Sequence, residues 1–248
     1  MLDVLGGVID WFQNPANWQG EEGLTNRLVE HLLLTGTATL AAVLLGLPLA
    51  IWLGHIGKGG FLAVNISNIG RAIPTFAVLT MLSIGAVGTA DFGPYGRAGL
   101  ATLISLLLFA LPPIITNAYV GLREVDRDTV EAAKGMGMKG TQLLRRVELP
   151  LAMPLIVTGV RLAVVQVWAT ATIAALVAGP GLGRIITLGF RRQDVSEVVA
   201  GALVVAVIAL VLEALMVLMQ RYLDPVARAR RTARLSKRMK APAVAAAK

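Results

Sequence analysis

The chain has 248 residues, 56% hydrophobic and 15% charged, with a formal net charge of +8 and a mean hydropathy of +0.70. A soluble domain carries about 25% charged residues, so this composition excludes a disordered chain and argues against an ordinary soluble enzyme. Cysteine is absent and histidine occurs only at His31 and His55, which excludes a disulfide framework, a thiolate or histidine-rich metal site and a cysteine nucleophile.

The N-terminus does not read as a signal peptide, because Asp3 stands where a positive segment is needed and the apolar stretch is short. Trp11, Phe12 and Trp18 suit a segment lying at a membrane interface, and an exposed loop with scattered aromatics is equally compatible. Beyond it, stretches free of charge and histidine cover 32–54, 72–90, 98–122, 162–183 and 198–220. Each approaches the roughly 20 apolar residues that a membrane span needs. The fourth is expected to begin near Leu151, with Arg161 as its one interruption, and Glu213 interrupts the fifth. Backbone in lipid must satisfy its own hydrogen bonds, so these are helices, and no barrel-like alternation is visible. The expected fold is all-α: a polytopic membrane helix bundle of about five transmembrane helices. Residues 1–27 form an external or interfacial segment, 28–220 the membrane domain and 221–248 a basic tail.

Five spans place the termini on opposite sides. One set of loops, with the C-terminal tail, carries seventeen Lys and Arg residues, and the other set carries five. The richer side is cytoplasmic, so the N-terminus is outside and the C-terminus inside. Arg184, Arg191 and Arg192 form a local exception outside. The basic stretch Arg228 to Lys240 has no folded reader or stacking aromatics for nucleic acid. Attraction to anionic lipid headgroups, about 1 kcal/mol per basic residue, or plain solvation explains it better.

The segment 123–150 is the one substantial cytoplasmic loop. Asp128 with Glu131 reads as a capping box, and 129–134 favours helix. Gly135 and Gly137 end that helix. Thr141 is expected to cap a second short helix that stops at Pro150. A helix–glycine turn–helix between two spans is a docking knob for a partner. No P-loop is present: Gly57-Lys58 is followed by Gly59, and Lys139-Gly140-Thr141 does not fit either. Active transport would draw its energy from another subunit.

Charges inside a bilayer are costly and mark functional positions. Arg161 lies eleven residues past Pro150 and Glu213 eight before Arg221, about 16 and 12 Å along their helices. The similar depths suggest an intramembrane ion pair, with separate snorkelling as the alternative. Pro48, Pro74, Pro112 and Pro113 fall within the first three spans. Asn117, Gln166, Thr170 and Thr172 are candidates for lining a pathway, or for joining helices. Gly179-Pro180-Gly181-Leu182-Gly183 breaks the fourth span near its outer end, as a gate or a simple loop. Trp52, Phe76, Phe109, Tyr119 and Trp168 are too scattered for an aromatic cage on a quaternary amine.

The cytoplasmic loop runs Glu131-Ala132-Ala133, three residues to Gly137, then nine to Val147-Glu148-Leu149-Pro150. This resembles the EAA loop of ABC-importer permeases, E-A-A-x3-G-x9-I-x-L-P, with Val147 replacing the usual isoleucine. The resemblance extends over roughly residues 28–220. A closer resemblance is to permeases for glycine betaine, choline, carnitine and proline betaine. Val125-Asp126, Glu131 to Met138, Arg145 to Pro154, Gly159-Val160-Arg161, Ala178 to Gly183 and Gly46-Leu47-Pro48-Leu49 all fit. Pro180 departs from their usual glycine or alanine.

The resemblance implies one half of an importer in the bacterial cytoplasmic membrane. Two permease chains, identical or paralogous, would form the pathway. Two ATPase subunits would hydrolyse ATP and grip the loops through Glu131, Ala132, Ala133, Gly137, Val147, Leu149 and Pro150. An external binding protein would deliver solute. No cofactor, metal or catalytic residue is expected in this chain. Permeases for methionine or taurine share the loop, and a self-sufficient channel or a membrane-embedded enzyme is the reading from a different class. An enzyme would need convergent catalytic groups in the spans, which are missing.

Overall fold

The computed structural model describes residues 2–223 apart from 62–64, 66–69 and 71. The basic stretch from Arg228 lies outside the described residues. Helix α1 (Leu2–Gln13) and a 3-10 turn (Pro15–Asn17) lead into α2 (Leu24–Ile56). Two short helices follow, α3 (Thr75–Ile84) and α4 (Ala86–Thr89), and then α5 (Gly99–Arg123). The loop after α5 holds α6 (Arg127–Gly135) and α7 (Gly140–Leu143). Helix α8 (Leu149–Ala171), a 3-10 segment (Thr172–Val177), α9 (Gly183–Arg192) and α10 (Val195–Leu223) complete the chain. No strand occurs among the described residues beyond the isolated bridge Asp91–Arg97.

Among the described residues, four helical stretches are long and apolar enough to cross a membrane: Leu24–Ile56, Gly99–Arg123, Gly140–Val177 and Val195–Leu223. The expected second span differs. Over 75–89 it is a ten-residue helix, a break at the extended Gly85, and one further turn. Ten residues rise about 15 Å, half the hydrocarbon thickness. Glycine at 85 and 88 weakens helix propensity here. Pro74 sits at the N-cap of α3.

Helix α2 starts eight residues before the charge-free stretch does. Arg27 and Glu30 pair one turn apart at 2.9 Å, and His31 turns inward, so the polar residues are satisfied without ending the helix. Its buried edge carries Ala38, Ala42, Gly46, Ala50 and Gly54, one small residue every four. That stripe lets α5 approach closely. Three clusters stack along the bundle. Leu34, Ala38 and Ala42 of α2 meet Leu106, Ala110 and Ile114 of α5 and Ala163, Val167 and Ala171 of α8. Towards the loop, Ala50, Tyr119, Leu122, Ala152 and Ile156 repeat the same three-helix contact. At the other end Leu24, Trp168, Leu182 and Ile185 gather Trp11 and Phe12 of α1 and Val205 and Ile208 of α10. Helix α10 exposes Leu203, Val207, Leu210, Val211, Leu215 and Leu218, an apolar face suited to lipid and not to water.

Candidate functional site

Helix α6 follows the C-terminal end of α5. Its N-cap is Asp126, whose Oδ1 accepts the Asp128 N–H at 3.2 Å and whose Oδ2 accepts the Thr129 hydroxyl at 3.2 Å. The expected cap at Asp128 is thereby corrected. Asp126 has the non-helical backbone that a cap needs, and Asp128 is already inside the helix. Glu131 therefore falls outside the capping box. It is exposed and makes no side-chain hydrogen bond or ion pair among the described residues. Ala132 is exposed beside it, and Ala133 is buried.

Gly137 terminates α6 at φ +84. Its N–H donates to Lys134 O at 2.9 Å, and the Met138 N–H donates to Ala133 O at 3.2 Å. This is the two-bond left-handed closure that glycine adopts without steric cost. It leaves Met136 largely exposed at the tip of a polar helix.

The second loop helix also differs from expectation. Its N-cap is Lys139, whose N–H donates to Gln142 Oε1 at 3.0 Å, and Thr141 lies inside it. Pro150 does not stop it. Residues Leu144–Glu148 form a π turn, in which the Leu149 N–H donates to Leu144 O, and the chain runs on into α8. Proline has no N–H and its ring crowds the preceding turn, so a wider turn before it lets the helix continue. Val147, Leu149 and Pro150 are half-buried along this stem, while Glu148 is buried.

Arg161 and Glu213 meet between α8 and α10. Nε of Arg161 donates to Glu213 Oε2 at 3.1 Å, and a second guanidinium nitrogen engages Oε1. Gln220 extends the pair: its Oε1 accepts from Arg161 at 3.1 Å, and its Nε2 donates to Thr158 Oγ1 at 2.9 Å. This bidentate guanidinium–carboxylate contact, together with the Trp168 Nε1–H donated to Val205 O at 3.1 Å, fixes the rotation of two apolar helices.

The remaining candidates do not form one polar lining. Asn117 donates to Pro113 O of its own helix at 2.8 Å and packs against Gly159 of α8. Gln166 is exposed about 10 Å further along α8, with Thr170 one turn beyond. Thr172 begins the 3-10 segment, and its hydroxyl is buried without a hydrogen-bond partner. The helix break thus starts before the glycines. Residues 179–183 are all buried. Among the five aromatic residues of the spans, Trp168 stacks edge-on with His31 and none pairs with another of the five.

Sequence reasoning missed what holds the 179–183 segment. Glu30 Oε2 accepts the Gly181 N–H at 2.9 Å. His31 Nδ1 accepts the Leu182 N–H at 3.2 Å, while its Nε2 lies 3.2 Å from Trp168 O. These partners place the proton on Nε2 of a neutral ring. Gly181 has φ +103, and a Cβ there would lie 2.8 Å from His31 Nδ1. The available signal was His31 itself, an ionisable residue at the edge of an apolar run.

Residues 42–229 match the family described as binding-protein-dependent transport system inner membrane component. The carnitine transport permease protein OpuCD of Listeria monocytogenes is 32% identical over 226 residues, covering 91% of this chain and 95% of that one. The osmoprotectant import permease protein OsmY of Salmonella typhimurium is 34% identical over 197 residues, covering 79% and 80%. The choline transport system permease protein OpuBB of Bacillus subtilis is 30% identical over 206 residues, covering 82% and 89%. An inward-facing structure of the MetNI methionine ABC transporter shares the fold, with a TM-score of 0.66 and 21% identity over 81% of this chain and 95% of that one. The chain belongs to the binding-protein-dependent inner membrane components, the multi-pass permease subunits of ABC importers in the cytoplasmic membrane.

Proposed function

We propose that this permease imports osmoprotectants, namely glycine betaine, choline, carnitine or related quaternary amines. The observation that carries the reading is the set of relatives named for carnitine, choline and osmoprotectant transport, each at 30% identity or more over most of both chains. Two permease chains, identical or paralogous, enclose the pathway. An external binding protein delivers the solute and supplies the aromatic cage for it. Two partner ATPases hydrolyse ATP and bind the loop around α6. The exposed Glu131, Ala132 and Met136 support that docking, because an apolar tip on a polar helix is stable when a partner covers it. Closure of the ATPases moves the loop and switches the pathway between outward- and inward-facing states.

The topology we adopt has five spans, with α3 contributing to the second, the N-terminus outside and α6 inside. Of the three outer basic residues that break the charge rule, Arg192 is paired with Glu197 at 3.3 Å, which softens the exception.

The test is uptake of labelled betaine, choline, carnitine and methionine at high osmolarity, in cells with and without this chain. Loss of quaternary-amine uptake is the expected result. Loss confined to methionine would discard the osmoprotectant reading and leave the family membership intact.

A further inference from the structure

Among the described residues, a hydrogen bond between His55 and Glu148 ties the loop to the first long helix. His55 stands in the last turn of α2, and its Nδ1 lies 2.5 Å from Glu148 Oε2, 93 positions along the chain. Glu148 closes the π turn and is buried. The far side of the imidazole also faces the loop. A Cβ on Gly140, the first residue of α7, would sit 3.5 Å from His55 Nε2. One ring is therefore held between the start of α7 and the turn that ends its stem. The π turn aims the carboxylate, because one extra residue rotates the side chains that follow by about 100° around the helix. A buried carboxylate left without its partner is costly, so the contact is strongly favoured once the turn forms.

We propose that His55 and Glu148 form a strut that makes α2 and the loop stem move as one body. The loop is covalently joined only to α5 and α8. Through the strut, a displacement imposed on α6 reaches α2 as well, and all three helices of the central cluster respond together. The two residues are positioning residues for coupling and touch neither solute nor nucleotide. The inference rests on the reading that an ATPase docks on this loop.

The absence of cysteine permits a clean test. His55→Cys with Glu148→Cys, assembled with its ATPase in proteoliposomes, is read for ATP hydrolysis and solute uptake before and after bridging with a short bis-methanethiosulfonate. Unbridged, the variant is expected to hydrolyse ATP while uptake per ATP falls by about fivefold or more, the scale of an ordinary coupling energy. Bridging should restore uptake. Loss of uptake on bridging would show that the contact must open during transport and overturn the strut. Full coupling in the unbridged variant would overturn it equally. Glu148→Gln, which keeps a hydrogen-bonding group of the same size, compared with Glu148→Ala, reads the same ratio if the double variant folds poorly. Equal coupling in these two single variants sinks the strut. An unmodified chain that never co-purifies with an ATPase sinks the docking reading instead.

Discussion

The Glu30 carboxylate and the Gly181 backbone N–H, 151 residues apart, are joined by a hydrogen bond of 2.9 Å. With His31 one residue further on, the first turns of α2 clamp a buried non-helical segment that connects α8 to α9. Irregular backbone in such a place survives only where its polar groups are met by protein. Here Glu30 and His31 meet two successive N–H groups, and the imidazole also meets Trp168 O.

Gly181→Ala is expected to destabilise the chain by about 1–3 kcal/mol, because it forces a side chain into a positive φ and against the His31 ring. His31→Ala should cost a similar amount, about 1–3 kcal/mol, by orphaning buried backbone groups. Thermal unfolding of the purified permease in detergent checks both. Unchanged melting temperatures would mean that the clamp contributes nothing to stability.

Glu131→Lys is expected to abolish co-purification with the ATPase while leaving stability within about 0.5 kcal/mol, as for a surface change away from caps and cores. A parallel loss of melting temperature would point to a structural role inside α6. The cap at Asp126 gives the control: Asp126→Ala should lower loop order by about 1 kcal/mol without reversing any charge at the docking face.

Gly137 can be tested by conformational class. Asparagine visits the left-handed region more readily than a β-branched residue, for which that backbone is a true outlier. Gly137→Asn should therefore keep more ATPase binding than Gly137→Val, a difference of about 1 kcal/mol in docking free energy. Equal binding by the two variants would mean that the turn is not needed in its observed form.

Neutralising either Arg161 or Glu213 should lower both stability and uptake. The exchange Arg161→Glu with Glu213→Arg should recover part of each, since the contact depends on opposite charges across α8 and α10. Gln220→Leu should have a smaller effect, because it removes one of three bonds to the guanidinium. No recovery in the exchanged variant would count against the pair as the source of the effect.

Hydropathy alone determined the helical class and marked five apolar stretches, four of which contain long apolar helices among the described residues, because lipid solvation acts residue by residue and leaves a mark in local composition. The loop motif was legible for the same reason: its glycine turn and polar helix are local. Three features were not legible. The caps at Asp126 and Lys139 were missed because neighbouring residues offer equally plausible caps, and only the backbone angles choose between them. The π turn escaped notice because proline normally reads as a stop, and the surrounding packing is what carries the helix through it. The contacts His31–Leu182, Glu30–Gly181 and His55–Glu148 join positions 93 to 151 residues apart. Which polar side chains meet across such separations depends on helix rotation and crossing, and those are decided by the packing of α2, α5 and α8 around their small-residue faces.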